Sequence, residues 1–396
     1  MIDIPQELVD LIVDGLQDDK KALRAALHLS PSFRSRAQYL LFRAVNILYA
    51  EECARFNELC RISPSVPPLV RGLRIVAWDG QPRPDSDKLR LHNLPNLDKI
   101  YISGYSAGRN CVIPWVSASA IGPQVSYAAT SMKLEGMHFP SAQSFRSCLE
   151  SFARLKTLTI NALLIHDAKS IEDVSSAPGP PIEMLTILSS GMRNNHERAF
   201  VGPGSAKTGW RKPFGLHALR KLQMVFFKLG LVSQMQNILD ITRDTIQEVS
   251  LLPYSEGSDL EKCKDNHILN LSRVPLVNFG PLSMPFAWDM KYLVKCLRKG
   301  APARLNITIY FDEGGFEDLR VGGTWMAIDN AMRDKGSLLC FTVKLEAWDN
   351  EDTIKGNLSV LLPKMHSAGR LSFLFTKDRI PVYQGIEFDP GSLGAD

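Results

Sequence analysis

The chain has 396 residues, room for more than one unit or for an elongated repeat array, and its 45% apolar content supplies a substantial core. Lys and Arg number 46 against 42 Asp and Glu, a formal charge of +4 that is too balanced to argue for nucleic-acid binding. No apolar run reaches the roughly 18 residues of a membrane span, no basic stretch precedes an apolar one at the start, and the 7 cysteines are scattered and odd in number. These features argue against a membrane partner and a secretory leader. They predict reduced thiols in the cytoplasm or nucleus, with the sequons at Asn270, Asn306 and Asn357 unused.

Three short helices are predicted first. Pro5 stands where a helix can begin, because its missing N–H costs nothing there. Leu8, Leu11, Ile12 and Leu16 then recur at helical spacing as one stripe, and Gly15 weakens the end. Asp18 and Asp19 can cap a second helix carrying Leu23, Ala26, Leu27 and Leu29. Ser30-Pro31 repeats the start signal for a third, with Phe33, Ala37, Leu40 and Leu41. From Phe42 to Leu48 the pattern turns strand-like. Tyr49 to Ile62 is helical again, with Cys53, Phe56, Leu59 and Cys60 on one face.

The opening segment resembles the F-box, the motif by which substrate receptors dock on the Skp adaptor of SCF ubiquitin ligases. The family pattern opens with an apolar residue, Pro, any residue, Glu and Leu, then an Ile and a Leu at four-residue steps. Ile4, Pro5, Glu7, Leu8, Ile12 and Leu16 match it one by one. Leu23, Leu29 and Ser30 fit the second helix, and Arg36 to Phe42 resembles the closing run of fungal members. The chain departs from the pattern at Ala26, His28, Pro31 and Phe33, where Cys, Leu, Arg and Trp are frequent. The resemblance implies adaptor docking by Ile4, Pro5, Leu8, Ile12 and Leu16, with Leu23, Leu29 and Phe33 partly serving the packing of the helices. It also implies a cullin bound through the adaptor.

Beyond this segment a rhythm sets in. Strands are predicted at Leu73–Trp78, Leu97–Ile102, Lys133–Phe139, Leu155–Ile160, Met184–Leu188, Leu219–Val225, Ile246–Leu251, Val274–Phe279, Leu305–Phe311, Leu338–Leu345 and Arg370–Phe375. Their starts step by 22 to 36 residues, clustering near thirty. A Leu-x-x-Leu-x-x-Leu-x-Ile cadence precedes several of them. It is seen in Leu91, Leu94, Leu97, Ile100 and Ile102, in Leu149, Phe152, Leu155, Leu158 and Ile160, and in Leu216, Leu219, Leu222 and Met224. The cadence fits a leucine-rich-repeat solenoid, in which each strand-bearing turn needs its neighbours to bury its core. An ordinary α/β domain would show similar spacing. The expected fold class is therefore α/β: a three-helix F-box-like domain over 1–47, an irregular leucine-rich-repeat-like solenoid over 48–375, and a tail or cap over 376–396. An F-box followed by degenerate leucine-rich repeats resembles a large group of fungal F-box proteins, and that resemblance implies repeats that hold a protein target.

Three segments interrupt the rhythm: Trp78–Lys88, Ile171–Ile182 and Gly191–Gly215. The last is basic, with Arg193, Arg198, Lys207, Arg211 and Lys212 against Glu197, and holds the aromatics Phe200, Trp210 and Phe214. Two readings stand. Arg193, Arg198, Lys207, Trp210, Arg211 and Lys212 form a target-binding loop for an acidic partner, or they line a solvated insertion.

Catalytic motifs mostly fail on their spacing. Gly202 to Thr208 is close to a phosphate loop, but Val201 and Ala206 stand where glycines are needed. No histidines pair at i, i+4 and no Cys-x-x-Cys occurs, so no metal and no cofactor are expected. One Gly-x-Ser-x-Gly string occurs, Gly104-Tyr105-Ser106-Ala107-Gly108, and it is not read as a hydrolase elbow. His166-Asp167 reads as surface chemistry, and the acids Asp312, Glu313, Glu317 and Asp318 lack calcium-loop spacing. The expectation is a non-catalytic recognition subunit. A scaffold that docks no ligase stays open, as does an enzyme on a plain α/β fold.

Overall fold

A computed structural model describes residues 4–48, 50–78, 94–105, 128–161, 163–167, 179–188, 216–227, 232–253, 268–282, 287–311, 323–345 and 351–376. The chain forms two compact units whose boundary falls between Pro181 and Ile182, inside the predicted repeat region.

The first unit opens with helices α1 (Gln6–Asp14), α2 (Lys20–Ala26) and α3 (Pro31–Phe42). Asp19 caps α2 by accepting from the Lys21 and Ala22 amides at 2.8 and 3.0 Å, and the Ser30 hydroxyl accepts from the Phe33 amide at the start of α3. Strands β1 (Ala44–Ile47), β2 (Gly72–Trp78), β3 (Lys99–Tyr105), β4 (Ser131–Glu135) and β6 (Thr157–Asn161) lie in that order in one parallel sheet. Helix α4 (Ala50–Ile62) follows β1, and α5 (Ala142–Glu150) precedes β6. Two short strands, β5 (His138–Ser141) and β7 (Leu164–Asp167), pair in a second parallel sheet. The predicted strand Lys133–Phe139 is thus two strands. Gly136, at φ 60°, breaks it in a left-handed turn that residues with a Cβ avoid.

The second unit holds seven parallel strands, again in sequence order: β8 (Met184–Leu188), β9 (Lys221–Phe227), β10 (Glu248–Pro253), β11 (Leu276–Leu282), β12 (Arg304–Phe311), β13 (Leu338–Leu345) and β14 (Leu371–Thr376). Helices α6 (Val232–Ile241), α7 (Ala287–Lys299), α8 (Thr324–Asp334), α9 (Glu351–Leu361) and α10 (Pro363–Ser367) stand between them. Within neither unit does strand order reverse, as it would at the switch point of a doubly wound sheet.

Several strands begin about two residues later than predicted, and the reason is local. In Leu94-x-x-Leu97, Phe152-x-x-Leu155, Leu216-x-x-Leu219 and Leu271-x-x-Val274 the second apolar residue donates its amide to the carbonyl of the first, at 2.9–3.1 Å. The cadence is a tight turn that delivers two buried side chains before the strand opens. At the strand entrance one carbonyl of the preceding coil then accepts two successive amides of the next. Arg43 receives Arg71 and Gly72, Arg71 receives Asp98 and Lys99, Asp98 receives Thr130 and Ser131, and Thr130 receives Lys156 and Thr157. In the second unit Glu183 receives Arg220 and Lys221, and Arg220 receives Gln247 and Glu248.

Alternate strand residues fill the core of each unit. In the second, Leu222, Val249, Val277, Leu305 and Leu339 form one buried row and Met224, Leu251, Phe279, Ile307 and Phe341 the next. Helix side chains close over them, as Trp325 does on Phe341 with ring centroids 5.8 Å apart. Close approach of coils also sets single residues. A Cβ on Gly300 would collide with the Asn270 side chain and lie 2.9 Å from the Ser272 Cβ, whereas one on Gly356, within α9, would meet nothing. Gly300→Ala should therefore destabilise by about 1–3 kcal/mol. Gly356→Ala should stabilise by up to about 1 kcal/mol. Thermal melts of the two variants check both signs.

Candidate functional site

Two surfaces are built by this fold. The first is the outer face of α1. Its inner face is Val9 and Val13, which pack with Leu23, Ala26, Ala37 and Leu40 into a closed cluster, with Leu16, Leu27, Phe33, Tyr39 and Leu41 around it. The helix is apolar over more than its core-facing stripe, so a second stripe faces outward. Ile4, Leu8 and Ile12 are each 51% exposed and Leu11 67%. The predicted adaptor residues thus separate. Ile4, Pro5, Leu8 and Ile12 are exposed on or beside α1, and Leu29 is exposed after α2. Leu16 and Phe33 are half-buried against the cluster. Leu23 is fully inside it and holds α2 in place. The leucine stripe alone does not mark Val9 and Val13 as core, though an i, i+4 valine pair one step round from Leu8 and Ile12 is the signal.

The helices are fixed by more than apolar contact. Arg36 of α3 makes a bidentate pair with Asp14 of α1, Nε to Oδ1 at 2.7 Å and Nη2 to Oδ2 at 2.8 Å, and its guanidinium lies over the Tyr39 ring at 5.2 Å. The Asp14 hydrogen bond raises the Arg36 pKa above its ordinary value. The outward stripe is therefore presented by a braced three-helix body.

The second surface is the face of the strands turned away from the core rows, made by the residue between two apolar positions of each strand. Most of these residues are half-buried, and Tyr101, Thr186 and Cys340 among them are buried. In the first unit Arg74, Tyr101, Lys133 and Thr159 are register partners across β2, β3, β4 and β6. The Tyr101 ring lies between two cations, the Arg74 guanidinium carbon at 5.2 Å and the Lys133 Nζ at 4.6 Å from its centroid. Its hydroxyl donates to Glu135, which also accepts from Asn161 at 2.9 Å and pairs with Lys133 at 3.3 Å. Burial, with the Glu135 carboxylate adding to it, pushes the Tyr101 hydroxyl up to about 12, so it stays a donor at neutral pH. Trp78 and Tyr105 are backbone partners in β2 and β3.

In the second unit the corresponding row is Thr186, Gln223, Ser250, Asn278, Asn306 and Cys340. Asn278 donates to Glu248 at 2.8 Å and to Ser250 at 3.2 Å, Asn306 donates to Asn278 at 3.2 Å, and Thr342 donates to Asn306 at 3.0 Å. This is a polar ladder of groups able both to give and to accept. Lys221 and Glu248 pair beside it at 2.9 Å.

The loop residues Arg193, Arg198, Lys207, Trp210, Arg211 and Lys212 lie outside the described residues, as do the acids at 312–318 and the tail from 377 onward. Among the described residues no group of three His, Cys, Asp or Glu is placed to hold a metal ion, and no helix is long and apolar enough to cross a membrane. Burial pushes the thiols of Cys53 and Cys60 up to about 11 and that of Cys148 to about 12, which leaves these three protonated and unreactive at neutral pH. No protein-family model matches the chain, and no curated protein matches it significantly.

Proposed function

We propose that this chain is a non-catalytic substrate-recognition subunit of an SCF-type ubiquitin ligase. In this reading the three helices are an F-box that docks a Skp-type adaptor and, through it, a cullin. The parallel coils are an irregular leucine-rich-repeat-like solenoid whose polar strand face holds a protein target in the cytoplasm or nucleus. The chain itself then supplies proximity, and the chemistry belongs to other subunits.

The observation that carries the reading is the outward stripe of α1. A cap that merely closed the end of a solenoid would turn its apolar face inward, yet Ile4, Leu8, Leu11 and Ile12 remain exposed while Val9 and Val13 satisfy the core. Covering such side chains is worth about 25 cal/mol per Å² of apolar surface before the costs of association. Co-purification with a recombinant Skp adaptor tests the reading. A stoichiometric complex is expected. A folded chain that captures no adaptor would leave an interaction scaffold unconnected to a ligase.

A further inference from the structure

The polar strand face of the first unit holds a charge that its neighbours do not answer. Glu135 is shared among the Tyr101 hydroxyl, Asn161 and Lys133, so the carboxylate of the cluster is already committed on that side of the ring. Arg74 stands on the other side. Its guanidinium stacks on Tyr101, it makes no hydrogen bond or ion pair among the described residues, and its Nε is shielded from solvent without an acceptor. Among the described residues two cations face the Glu135 carboxylate, and the unanswered one is the planar group whose donors match a carboxylate or phosphoryl group two at a time.

Packing also restrains it. The Tyr101 ring is buried, and its hydroxyl is tied to Glu135, so the surface on which the guanidinium lies is rigid. Less freedom is then lost when Arg74 takes a ligand. An isolated surface lysine offers neither the fixed plane nor the paired donors.

We propose that Arg74, held against Tyr101, is an oxyanion-binding position that takes a carboxylate or phosphoryl group carried by the protein target. The proposal rests on the reading that the polar strand face holds that target. It names the target's chemistry at one end of the face: an acidic or phosphorylated side chain opposite β2 and β3. The polar ladder of the second unit carries no such unanswered cation in its row and would read amide and hydroxyl groups instead.

The test is a titration of the full chain, isotope-labelled at arginine, with the Nε–Hε signals followed by NMR. Inorganic phosphate is added in one arm and acetate in the other, at constant ionic strength held with sodium chloride. Arg74→Lys identifies the signal, since lysine has no such group. The expected result is a saturable shift of the Arg74 signal with a midpoint in the millimolar range. A shift with phosphate alone assigns a phosphoryl ligand, and a shift with acetate, with or without phosphate, assigns a carboxylate. No saturable shift with either anion, or a drift shared equally by exposed arginines such as Arg71, overturns the proposal. The titration does not involve the adaptor. Its failure would leave adaptor docking standing, and a failed co-purification would leave a positive titration standing.

Discussion

Leu8→Asp will abolish capture of the Skp-type adaptor while leaving the melting profile of the chain unchanged. Leu8 is half-exposed and outside the closed cluster, so an aspartate there stays hydrated in the free chain and costs the fold little. In a docked complex the same carboxylate would be forced into an apolar contact. Losing the leucine burial removes about 2 kcal/mol, and stranding the charge adds several more. At 1.4 kcal/mol per tenfold, binding falls on the order of a thousandfold. Val13→Asp provides the contrast. Val13 has no exposure, so its carboxylate would enter the cluster of Leu23, Ala26, Ala37 and Leu40 and unfold the three helices. Pull-down with purified adaptor, read beside circular-dichroism melts, separates the two. Wild-type capture by Leu8→Asp would remove α1 from the interface.

Asp329→Ala will produce a large loss of stability in the second unit. Asp329 on α8 is fully buried, and its two oxygens accept from the amides of Lys364 at 3.0 Å and Met365 at 2.8 Å, the first turn of α10. A side chain from one helix thus satisfies the amide donors that a helix start leaves open in another. Alanine would strand both amides beside a buried Met365, at about 1–3 kcal/mol each. For a unit of this size each kcal/mol lowers the melting temperature by about 2–4 °C. A drop of about 4–24 °C is expected, with faster hydrogen exchange at Lys364 and Met365. Asp329→Asn should fall between, because its amide oxygen can answer one donor while its NH2 group opposes the other. An unchanged melt and unchanged exchange in Asp329→Ala would show that the two bonds contribute nothing.

Much of this architecture could be read before any coordinates. Met184–Leu188 and Leu338–Leu345 fall on the predicted residues because β-branched and apolar positions there run unbroken between turn signals. The strand entrances at 97, 155, 219 and 274 were placed early because an apolar residue in a tight turn looks, in sequence, like the first residue of a strand. Gly136 does not announce the break between β4 and β5, because a glycine between Glu135 and Met137 does not declare its φ in the sequence. In α1 the leucine stripe drew the eye from Val9 and Val13, since leucine spacing alone does not say which of two apolar faces is turned inward. The polar strand face was hidden for a related reason. Arg74, Tyr101, Lys133, Gln223, Ser250, Asn278 and Asn306 each stand between two apolar residues of a strand, where variation reads as a spacer. Only strand register shows that those spacers are neighbours.

The forked carbonyls at strand entrances separate two properties that a repeat protein must reconcile, fidelity and drift. A forked coil is re-indexed where its strand begins, when Arg71, Asp98, Thr130 or Arg220 receives two amides of the next coil, whereas β11 and β13 enter on the single bonds Leu276 to Gln247 and Leu338 to Ala303. Whatever the chain does after a strand ends is forgotten at the following fork. Adding residues there costs only the slow logarithmic price of a longer loop. Steps of 26 residues, from Ser131 to Thr157, and of 37, from Met184 to Lys221, therefore both occur between parallel strands entered at such forks. Descendants of such a chain are free to diverge in length between forks while their strands stay in register, so the repeat fades from the alphabet of the sequence long before it fades from the backbone.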